Sequence, residues 1–374
     1  MSMRAIFFAA AFAVTASATP FFHATPLMDV SQGGFGLIGD SGLLVGGRYL
    51  GRACSPIGCI PTNLQLFFSD GISTIVDVDS TIGAVSDINR FNTLLGSNGL
   101  LLNGVAIPTT EVSLKGLNDW NVAVGEVGYN SHGGGCGVIS NLPLYCLGEP
   151  YNVGFKDINN RGDFIGYVEK LVWEDASLIR EYAALISIGG QTSLLDSFDA
   201  DGNRFTETHL VAINDLGQVI GNGYRVLPEW PGPVQRRPFL YQNGQLTPMN
   251  LPANDLEATV VDINNYGWVV GVGKPVLGDG NDDGDAFVAF DGINGIVLGS
   301  LTDCGGCRFV RVSDVNNLGQ ILATAMVGQT RKQYLLSPIA PTPEPGSMWL
   351  IASATTVLLV KIKRTKHSAK PTGS

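Results

Sequence analysis

A short segment recurs along almost the whole length of this chain and limits the folds that the chain can adopt. One copy, VVDINNYGWVVG at 260–271, has an apolar run that ends at Ile263, four turn residues, and a second apolar run that starts at Trp268. An Asn side chain caps a turn, and Gly adopts positive φ without steric cost. The segment therefore predicts a β-hairpin.

Seven copies of this hairpin can be aligned on the apolar residue that precedes the turn. These residues are Ile38, Ile88, Leu117, Ile158, Ile213, Ile263 and Val315. A second hairpin with a Gly-containing turn lies between copies, as in RPFLYQNGQLTPM at 237–249 and DAFVAFDGINGIVLG at 285–299. Units of roughly 40 to 50 residues that hold four short strands each are typical of a repeat array.

The last unit ends early, because the run at 332–338 is not followed by a fourth strand. The segment TPLMDV at 25–30 resembles LTPMNL at 246–251, which we assign to the fourth strand of the fifth unit. An N-terminal strand that completes the last sheet would close the array and remove its exposed edges. We therefore predict an all-β fold, a seven-bladed β-propeller over residues 19–339. The alternative is an open β-solenoid of the same repeats.

The N-terminus is typical of an exported protein. Residues 1–18 contain Arg4, an apolar run from Ala5 to Ala16, and a small-residue end at Ala16, Ser17 and Ala18, which fits a secretory signal peptide. The alternative is a buried N-terminal strand or helix. Without Arg4 and the five basic residues after Pro345, the rest of the chain carries a net charge of about −16, which argues against nucleic acid as a partner.

The repeats resemble a known class. The pattern I-N-N-x-G-x-h-h-G, in which h is apolar, followed by DAFVAF at 285–290 or RPFLY at 237–241, resembles the bacterial extracellular repeats named HAF after a His-Ala-Phe tripeptide. This chain has Asp285 or Arg237 in place of the His, and its first two units lack much of the motif. The resemblance implies an exported repeat domain and carries no catalytic residues.

The C-terminal end has three parts, which are a linker at 340–347, an apolar run that predicts a transmembrane helix at 348–362, and a basic cytoplasmic tail at 363–374. The linker contains Pro343, Glu344 and Pro345. This arrangement resembles the PEP-CTERM sorting signal of exported proteins from Gram-negative bacteria that make exopolysaccharide. The resemblance implies recognition by an exosortase. The residues beyond the basic cluster are a departure from the family, and a plain membrane anchor is the alternative.

Six cysteines in an exported chain predict disulfides. They form three close pairs in the sequence, which are Cys54 with Cys59, Cys136 with Cys146, and Cys304 with Cys307. We expect local staples in the longer connections. Cys304 and Cys307 could instead form a redox or metal pair, although neither a second CxxC nor a nearby His completes a zinc site.

An Asp-rich loop offers a candidate calcium site. Asp279, Asn281 and Asp283 take the first, third and fifth places of a calcium loop, and Asp285 follows as a further oxygen donor. The bidentate Glu of the twelfth place is missing, because Phe290 stands there. The other interpretation is a solvated turn. No other cofactor is predicted.

Motifs for catalysis are absent from the sequence, which contains no His-Glu-x-x-His, Gly-x-Ser-x-Gly or phosphate-binding Gly loop. We therefore expect a non-enzymatic, surface-sorted protein with a binding or structural role in the extracellular polysaccharide matrix. It would pass through the inner membrane to the cell surface. The alternative is a secreted propeller-type polysaccharide hydrolase or lyase. We expect binding, if it occurs, on the face of the long connections, which carries Trp173, Trp230 and the Asp-rich loop.

Overall fold

The structure of this chain is a computed structural model. It describes residues 21–339 except for short stretches within that range. The stretches outside the described residues are 1–20, 30–33, 56–57, 70–73, 79–83, 97–98, 103–104, 109–111, 129–133, 175–176, 196–206, 227–233, 253–254, 276–283 and 340–374. The predicted signal peptide, linker, transmembrane helix and basic tail therefore lie outside the described residues.

The described residues form seven antiparallel sheets, which confirms the prediction of an all-β, seven-bladed β-propeller. Blade 1 contains β2 (Gly34–Ile38), β3 (Leu44–Ser55), β4 (Gly58–Ser69) and β5 (Thr74–Val78). Blade 2 contains β6 (Val85–Ile88), β7 (Leu94–Gly96), β8 (Gly99–Leu102) and β9 (Val105–Pro108). Blade 3 contains β10 (Val112–Leu117), β11 (Ala123–Val127) and β12 (Cys136–Ile139). Blade 4 contains β13 (Tyr151–Ile158), β14 (Phe164–Glu174), β15 (Ser177–Ile188) and β16 (Gln191–Leu195).

The remaining blades follow in chain order. Blade 5 contains β17 (Glu207–Ile213), β18 (Val219–Val226), β19 (Val234–Gln242) and β20 (Gln245–Pro248). Blade 6 contains β21 (Asp255–Ile263), β22 (Val269–Pro275), β23 (Asp285–Ala289) and β24 (Ile296–Val297), followed by a 3-10 turn at Leu298–Leu301. Blade 7 contains β25 (Arg308–Val315), β26 (Ile321–Val327), β27 (Thr330–Ile339) and, from the other end of the chain, β1 (Phe21–Asp29).

The N-terminal strand closes the ring as expected. β1 pairs with β27 at the outer edge of blade 7, although it spans Phe21–Asp29 rather than the predicted 25–30. Phe22 is fully buried there, and its ring lies 6.3 Å from that of Trp268 and 6.2 Å from that of Phe290. Blade 7 is thereby built from both ends of the described chain.

The first strand of every blade lies innermost. Each contacts the first strands of both neighbouring blades, and β2 contacts both β6 and β25, so the inner circle is complete. All seven first strands end at the apolar residues used to align the repeats. Each also contains a β-bulge two or three residues before its end, between the positions Phe35/Leu37, Val85/Asp87, Leu114/Gly116, Phe155/Asp157, Leu210/Ala212, Val260/Asp262 and Val312/Asp314.

The Gly that ends the repeat motif and the Phe of the second hairpin pack on each other. Gly221 pairs with Phe239 in blade 5, and Gly271 pairs with Phe287 in blade 6. A Cβ at either Gly would stand 2.5 Å from the Cζ of the paired ring. Both rings are fully buried between the blades. Only Gly leaves room for the aromatic side chain, which explains why these two residue types recur together.

Blade 3 departs from the expected four strands, because the described residues place three in its sheet. The segment after β12 returns along the outer edge and makes a single bridge, in which Gly137 and Tyr145 exchange both backbone hydrogen bonds, of 3.0 and 2.9 Å. The disulfide between Cys136 and Cys146 closes this segment. A covalent link thus stands where the other blades have a fourth strand.

Candidate functional site

The turns between first and second strands define one face of the propeller, here called the Asn-turn face. The first turn residue is Asn in six blades, and all six are buried; they are Asn89, Asn118, Asn159, Asn214, Asn264 and Asn316. The Oδ1 of each Asn accepts the backbone N–H groups two and four residues ahead, as in Asn264 with Tyr266 and Trp268, both at 3.0 Å. The Asn side chain therefore shapes its own hairpin, as the sequence predicts.

The same side chains also join the blades, which was not predicted from the repeat pattern. The Nδ2 of each Asn donates to the carbonyl oxygen of the first turn residue in the next blade at 2.9 to 3.1 Å. The series runs from Asn89 to Asn316, and Asn316 donates to Gly39 of blade 1. We call these six residues the Asn belt.

A second series of bonds lies one residue further along each turn. The backbone N–H of the second turn residue donates to the side chain of the second turn residue in the next blade, at 2.7 to 3.0 Å. The series begins with Arg90, which donates to Asp119, and ends with Asn317, which donates to Asp40. The Asn160 amide also donates to the carboxylates of Asp119 and Asp215 on either side, at 2.8 and 2.9 Å. Two layers of side chains thus hold neighbouring turns together.

Four aspartates form a third layer inside the channel, directly after the bulges. Asp87, Asp157, Asp262 and Asp314 each accept a hydrogen bond from the N–H of the following residue at 2.7 or 2.8 Å. Their second oxygens accept the equivalent N–H of the next blade at 2.6 to 3.1 Å. The bulge frees these N–H groups from the sheet ladder, and the carboxyl groups satisfy them.

Blade 3 has Gly116 in place of an aspartate. A Cβ at this position would lie 2.7 Å from the Cα of Asp157 and 2.9 Å from the carbonyl oxygen of Lys156. Both atoms belong to the backbone of blade 4, so a side chain at 116 would push the two first strands apart. Close approach of these two strands accounts for the Gly.

Three of the channel aspartates, Asp87, Asp157 and Asp314, have pKa values raised above the usual range for a carboxyl group. Burial of the carboxyl group raises the pKa of Asp157 to about 8, and the nearby charge of Asp87 adds to the effect. Burial likewise raises the pKa of Asp87 to about 7, against the lowering effect of its two backbone hydrogen bonds. The pKa of Asp314 is also well above its usual value, because of burial and the adjacent Asp262. Burial, together with the nearby carboxyl groups, thus favours the neutral forms of these three aspartates.

A cavity of about 370 Å³ opens at the Asn-turn end of this channel, and every blade contributes to its lining. Besides the aspartates and the Asn belt, it is lined by Lys115 and Lys156, which occupy bulge positions. Burial lowers the pKa of Lys156, and the neighbouring Lys115 lowers it further, while Glu126 opposes the change. The cavity wall is therefore polar, with carboxyl groups in excess over basic groups.

The third residue of each turn forms the outermost tip. In five blades this residue is a large apolar side chain between 53% and 70% exposed, and we call these five residues the tip ring; they are Phe91, Trp120, Leu216, Tyr266 and Leu318. The other two tips are Ser41 and Arg161. Turn tips are usually polar, so apolar side chains at five equivalent positions form an unusual surface around the cavity.

The residues predicted to bind calcium are not assembled in the described part of the chain. Asp279, Asn281 and Asp283 lie outside the described residues, and Asp285 begins β23, where Arg308 Nε donates to it at 2.8 Å. Within the described ranges, no group of three or more His, Cys, Asp or Glu side chains is placed to hold a metal ion. Pro343, Glu344 and Pro345 also lie outside the described residues, as does Trp230.

The cysteines lie close to their sequence partners. Cys304 is bonded to Cys307 in the connection between blades 6 and 7. Cys54 lies opposite Cys59 in the register of β3 and β4, so this pair belongs to a long hairpin of blade 1. The sequence analysis had placed the pair in a long connection. Among the described residues no cysteine is free.

No family model matches the chain, and no curated protein matches it. Similar solved structures include the β-propeller domain of the Trilobed protease from Pyrococcus furiosus, at 8% identity and a TM-score of 0.48 over 85% of this chain and 95% of that one. A sialidase from Trypanosoma rangeli, in complex with the inhibitor DANA, has 12% identity and a TM-score of 0.33 over 95% of this chain and 60% of that one. A PL25 polysaccharide lyase, an ulvan lyase, has 11% identity and a TM-score of 0.34 over 80% and 78%.

In the described part of the chain, no helix has the length and apolar character that a bilayer crossing requires.

Proposed function

We propose that this chain is an exported, surface-sorted, non-enzymatic repeat protein with a binding or structural role in the extracellular polysaccharide matrix. The observation that supports this function is the use of the repeated polar residues. The Asn belt and the channel aspartates accept and donate hydrogen bonds between blades, so the repeat serves the scaffold. A rigid closed ring presents variable connections on its opposite face, where binding residues are commonly carried.

The proposed sorting route rests on the C-terminal sequence. An exosortase would act at Pro343, Glu344 and Pro345 while the apolar segment that follows holds the chain in the inner membrane. Replacing Glu344 with Ala should block removal of the tail, so the full-length form should accumulate in the membrane fraction of an exosortase-positive host. Thr342→Ala, two residues away, is the control. Mass spectrometry of the mature C-terminus decides, and normal processing of E344A would contradict the proposal.

Binding to polysaccharide is tested with the mature protein on a glycan array, together with a turnover assay on each bound glycan. We expect binding without turnover, and weaker binding by Trp230→Ala or Asp283→Ala. The sequence assigns both residues to connections on the face opposite the Asn-turn face, here called the long-connection face. The control is Tyr266→Ala, an exposed tip on the opposite face. Asn159→Ala is unsuitable as a control, because Asn159 is buried and bonded to the next blade. An equal loss of glycan binding in Y266A would contradict the assignment of binding to the long-connection face.

A second candidate function is a secreted propeller-type polysaccharide hydrolase or lyase. The observation that favours it is the raised pKa of Asp87 and Asp157 at the cavity, since a carboxylic acid that stays protonated near neutral pH can act as a general acid. In that case Asp157→Asn would abolish turnover of a bound glycan while leaving its binding intact. Turnover by the wild-type protein that D157N lacks would favour this candidate over the first.

A further inference from the structure

The tip ring is held rigidly in an exposed position. The backbone N–H of each of its five residues donates to the Oδ1 of the Asn-belt residue two positions earlier, at 3.0 or 3.1 Å. These bonds fix the backbone at the top of each turn, where the five side chains are exposed. Leu142, in the turn that follows β12 on the same face, is 59% exposed and adds a sixth apolar group.

The chemistry of the seven tips is uniform in one respect. Five are apolar, one is Ser41 and one is Arg161, so none carries a carboxylate. This contrasts with the acidic character of the whole chain, which has a net charge of −10. Trp and Tyr with Leu, Phe and a basic residue is the composition found where proteins meet the headgroup region of a bilayer.

The chain leaves the propeller from this same face. β27 is the third strand of blade 7 and runs toward the Asn turns, and the Cγ of Pro338 lies 3.6 Å from the position a Cβ would take at Gly319, in the Asn turn of blade 7. Residues 340–347 then separate the propeller from the apolar run at 348–360. Eight residues can span at most about 28 Å, at roughly 3.5 Å per residue.

From these features we infer that the Asn-turn face docks on the bilayer surface before the tail is removed, with the tip ring in the headgroup region. The inference rests on the proposed sorting tail. A short tether that begins on this face keeps the tip ring close to the membrane, so a weak interfacial contact is made at high effective concentration. The long-connection face is then turned outward, toward the matrix. The partner is a zwitterionic lipid surface, since the acidic residues beneath the tips disfavour an anionic one.

The test uses the full chain, reconstituted through its C-terminal segment into phosphatidylcholine nanodiscs. A nitroxide label is attached at Leu216→Cys on the tip ring and, in a second protein, at Val327→Cys, an exposed apolar residue in the β26–β27 hairpin on the opposite face. The relaxation of the nitroxide by oxygen, which concentrates in lipid, is compared with its relaxation by a water-soluble nickel chelate. We expect the oxygen-to-nickel ratio at position 216 to exceed that at 327 at least threefold.

A triple variant supplies a second measurement. Replacing Trp120, Tyr266 and Leu318 with Ser should return the label at position 216 to the ratio found at 327. Equal ratios at the two positions in the unmodified ring would overturn the inference, as would dipolar broadening at 216, which would show a second copy covering the ring. A chain that does not enter the nanodiscs would contradict the membrane anchor of the proposed function instead, so the two failures can be told apart.

Discussion

Blade 1 is bonded differently to blade 7 and to blade 2. The difference distinguishes the bonds that form a hairpin from the bonds that join two blades. On the side of blade 7, the buried amide of Gln333 accepts from the N–H of Phe35 at 2.7 Å and donates to its carbonyl oxygen at 2.9 Å. Asn316 donates to the carbonyl oxygen of Gly39, and Asp314 accepts the N–H of Ile38 at 2.8 Å. Each of these bonds crosses the point where the ring closes.

On the side of blade 2, Gly39 stands where the other blades have a belt Asn, and Leu37 stands where blade 7 has an aspartate. A hydrogen bond from Ser41 Oγ to Asn92 Oδ1, at 2.7 Å, links the two turns. The hairpin of blade 1 nevertheless has its usual backbone bonds, between Gly39 and Leu43 at 2.9 Å and between Gly42 and Gly39 at 2.8 Å. In blade 1 the backbone bonds of the turn form without a belt Asn, and Ser41 Oγ accepts the N–H of Leu43 instead, whereas Gly39 has no side-chain amide to donate across the junction to blade 2.

The largest expected effect comes from breaking the closure of blade 7. Phe22→Ala removes a fully buried ring that packs against Trp268 and Phe290, which should lower the free energy of unfolding by about 4 kcal/mol. Phe21→Ala is the matched control, because Phe21 is the adjacent residue of β1 and is 44% exposed. Urea denaturation of both variants measures the difference. Similar midpoints for the two would show that β1 does not carry the closure.

The second effect comes from removing a belt residue at the closing junction. Asn316→Ala leaves the N–H groups of Leu318 and Gln320 and the carbonyl oxygen of Gly39 without the side chain that now bonds them. Loss of partners for buried polar groups should lower the free energy of unfolding by about 3 kcal/mol. The control is Asn141→Ala in an exposed turn of blade 3. An N316A midpoint equal to that of N141A would contradict a structural role for the belt.

Much of this architecture was predictable from the sequence, because strand ends and turn chemistry are local properties. The alignment residues Ile158 and Ile263 end their strands as predicted, and the turns follow them. The donation from each Asn to the next blade was not predictable, because a repeat pattern shows the spacing within a unit and not the geometry between units. The three-stranded sheet of blade 3 was also not predictable, because the segment closed by the disulfide between Cys136 and Cys146 is long enough to hold a fourth strand.

The candidate site was less accessible to prediction, although its signals are present. An aspartate precedes the alignment residue in four copies, and an apolar residue occupies the third turn position in five. Each pattern is unremarkable in a single copy, where Asp caps a strand end and one exposed Tyr or Leu is ordinary. Only the closed ring brings the four carboxyl groups into one channel and the five apolar tips onto one face.

The third prediction concerns the pH dependence of stability at the junctions that contain a channel aspartate. An unfolded aspartate has a pKa near 4, whereas Asp157 and Asp87 keep their protons to about pH 8 and about pH 7 in the folded protein. The folded state therefore binds more protons between these values, so the free energy of unfolding should fall as pH rises from about 4 to 8. Thermal unfolding between pH 4.5 and 8.5 should give the higher melting temperatures at the acid end.

Two variants sharpen this measurement. Asp157→Asn should flatten the slope, because its amide does not titrate. Asp291→Asn should leave it unchanged: burial raises the pKa of Asp291, but hydrogen bonds from Asn294 and Ile293 outweigh this effect and hold the pKa below its usual value. The stability contributed by Asp291 is therefore lost only below about pH 4. A melting temperature that rises from pH 5 to 8 in the wild-type protein would show that the channel carboxyl groups are ionised.

The smallest effect should come from adding a belt residue at the junction of blades 1 and 2, and it should raise the free energy of unfolding. Gly39→Asn would place an amide where it can donate to the carbonyl oxygen of Asn89, as the six belt residues do toward their own neighbours. The φ of Gly39 lies outside the left-handed region, so a side chain is compatible with its backbone. A Cβ there would lie 3.0 Å from Cδ1 of Ile88, the flexible end of a side chain, which needs to move only slightly. One added hydrogen bond should raise the free energy of unfolding by about 1 kcal/mol.

Gly39→Ala is the control, because it adds the same Cβ and the same restriction of the unfolded chain without the amide. A melting temperature for G39N about 2 °C above that of G39A would isolate the junction bond. If the two variants melt together, the Asn belt does not stabilise the junctions through its amides, and the difference between the two sides of blade 1 must come from packing.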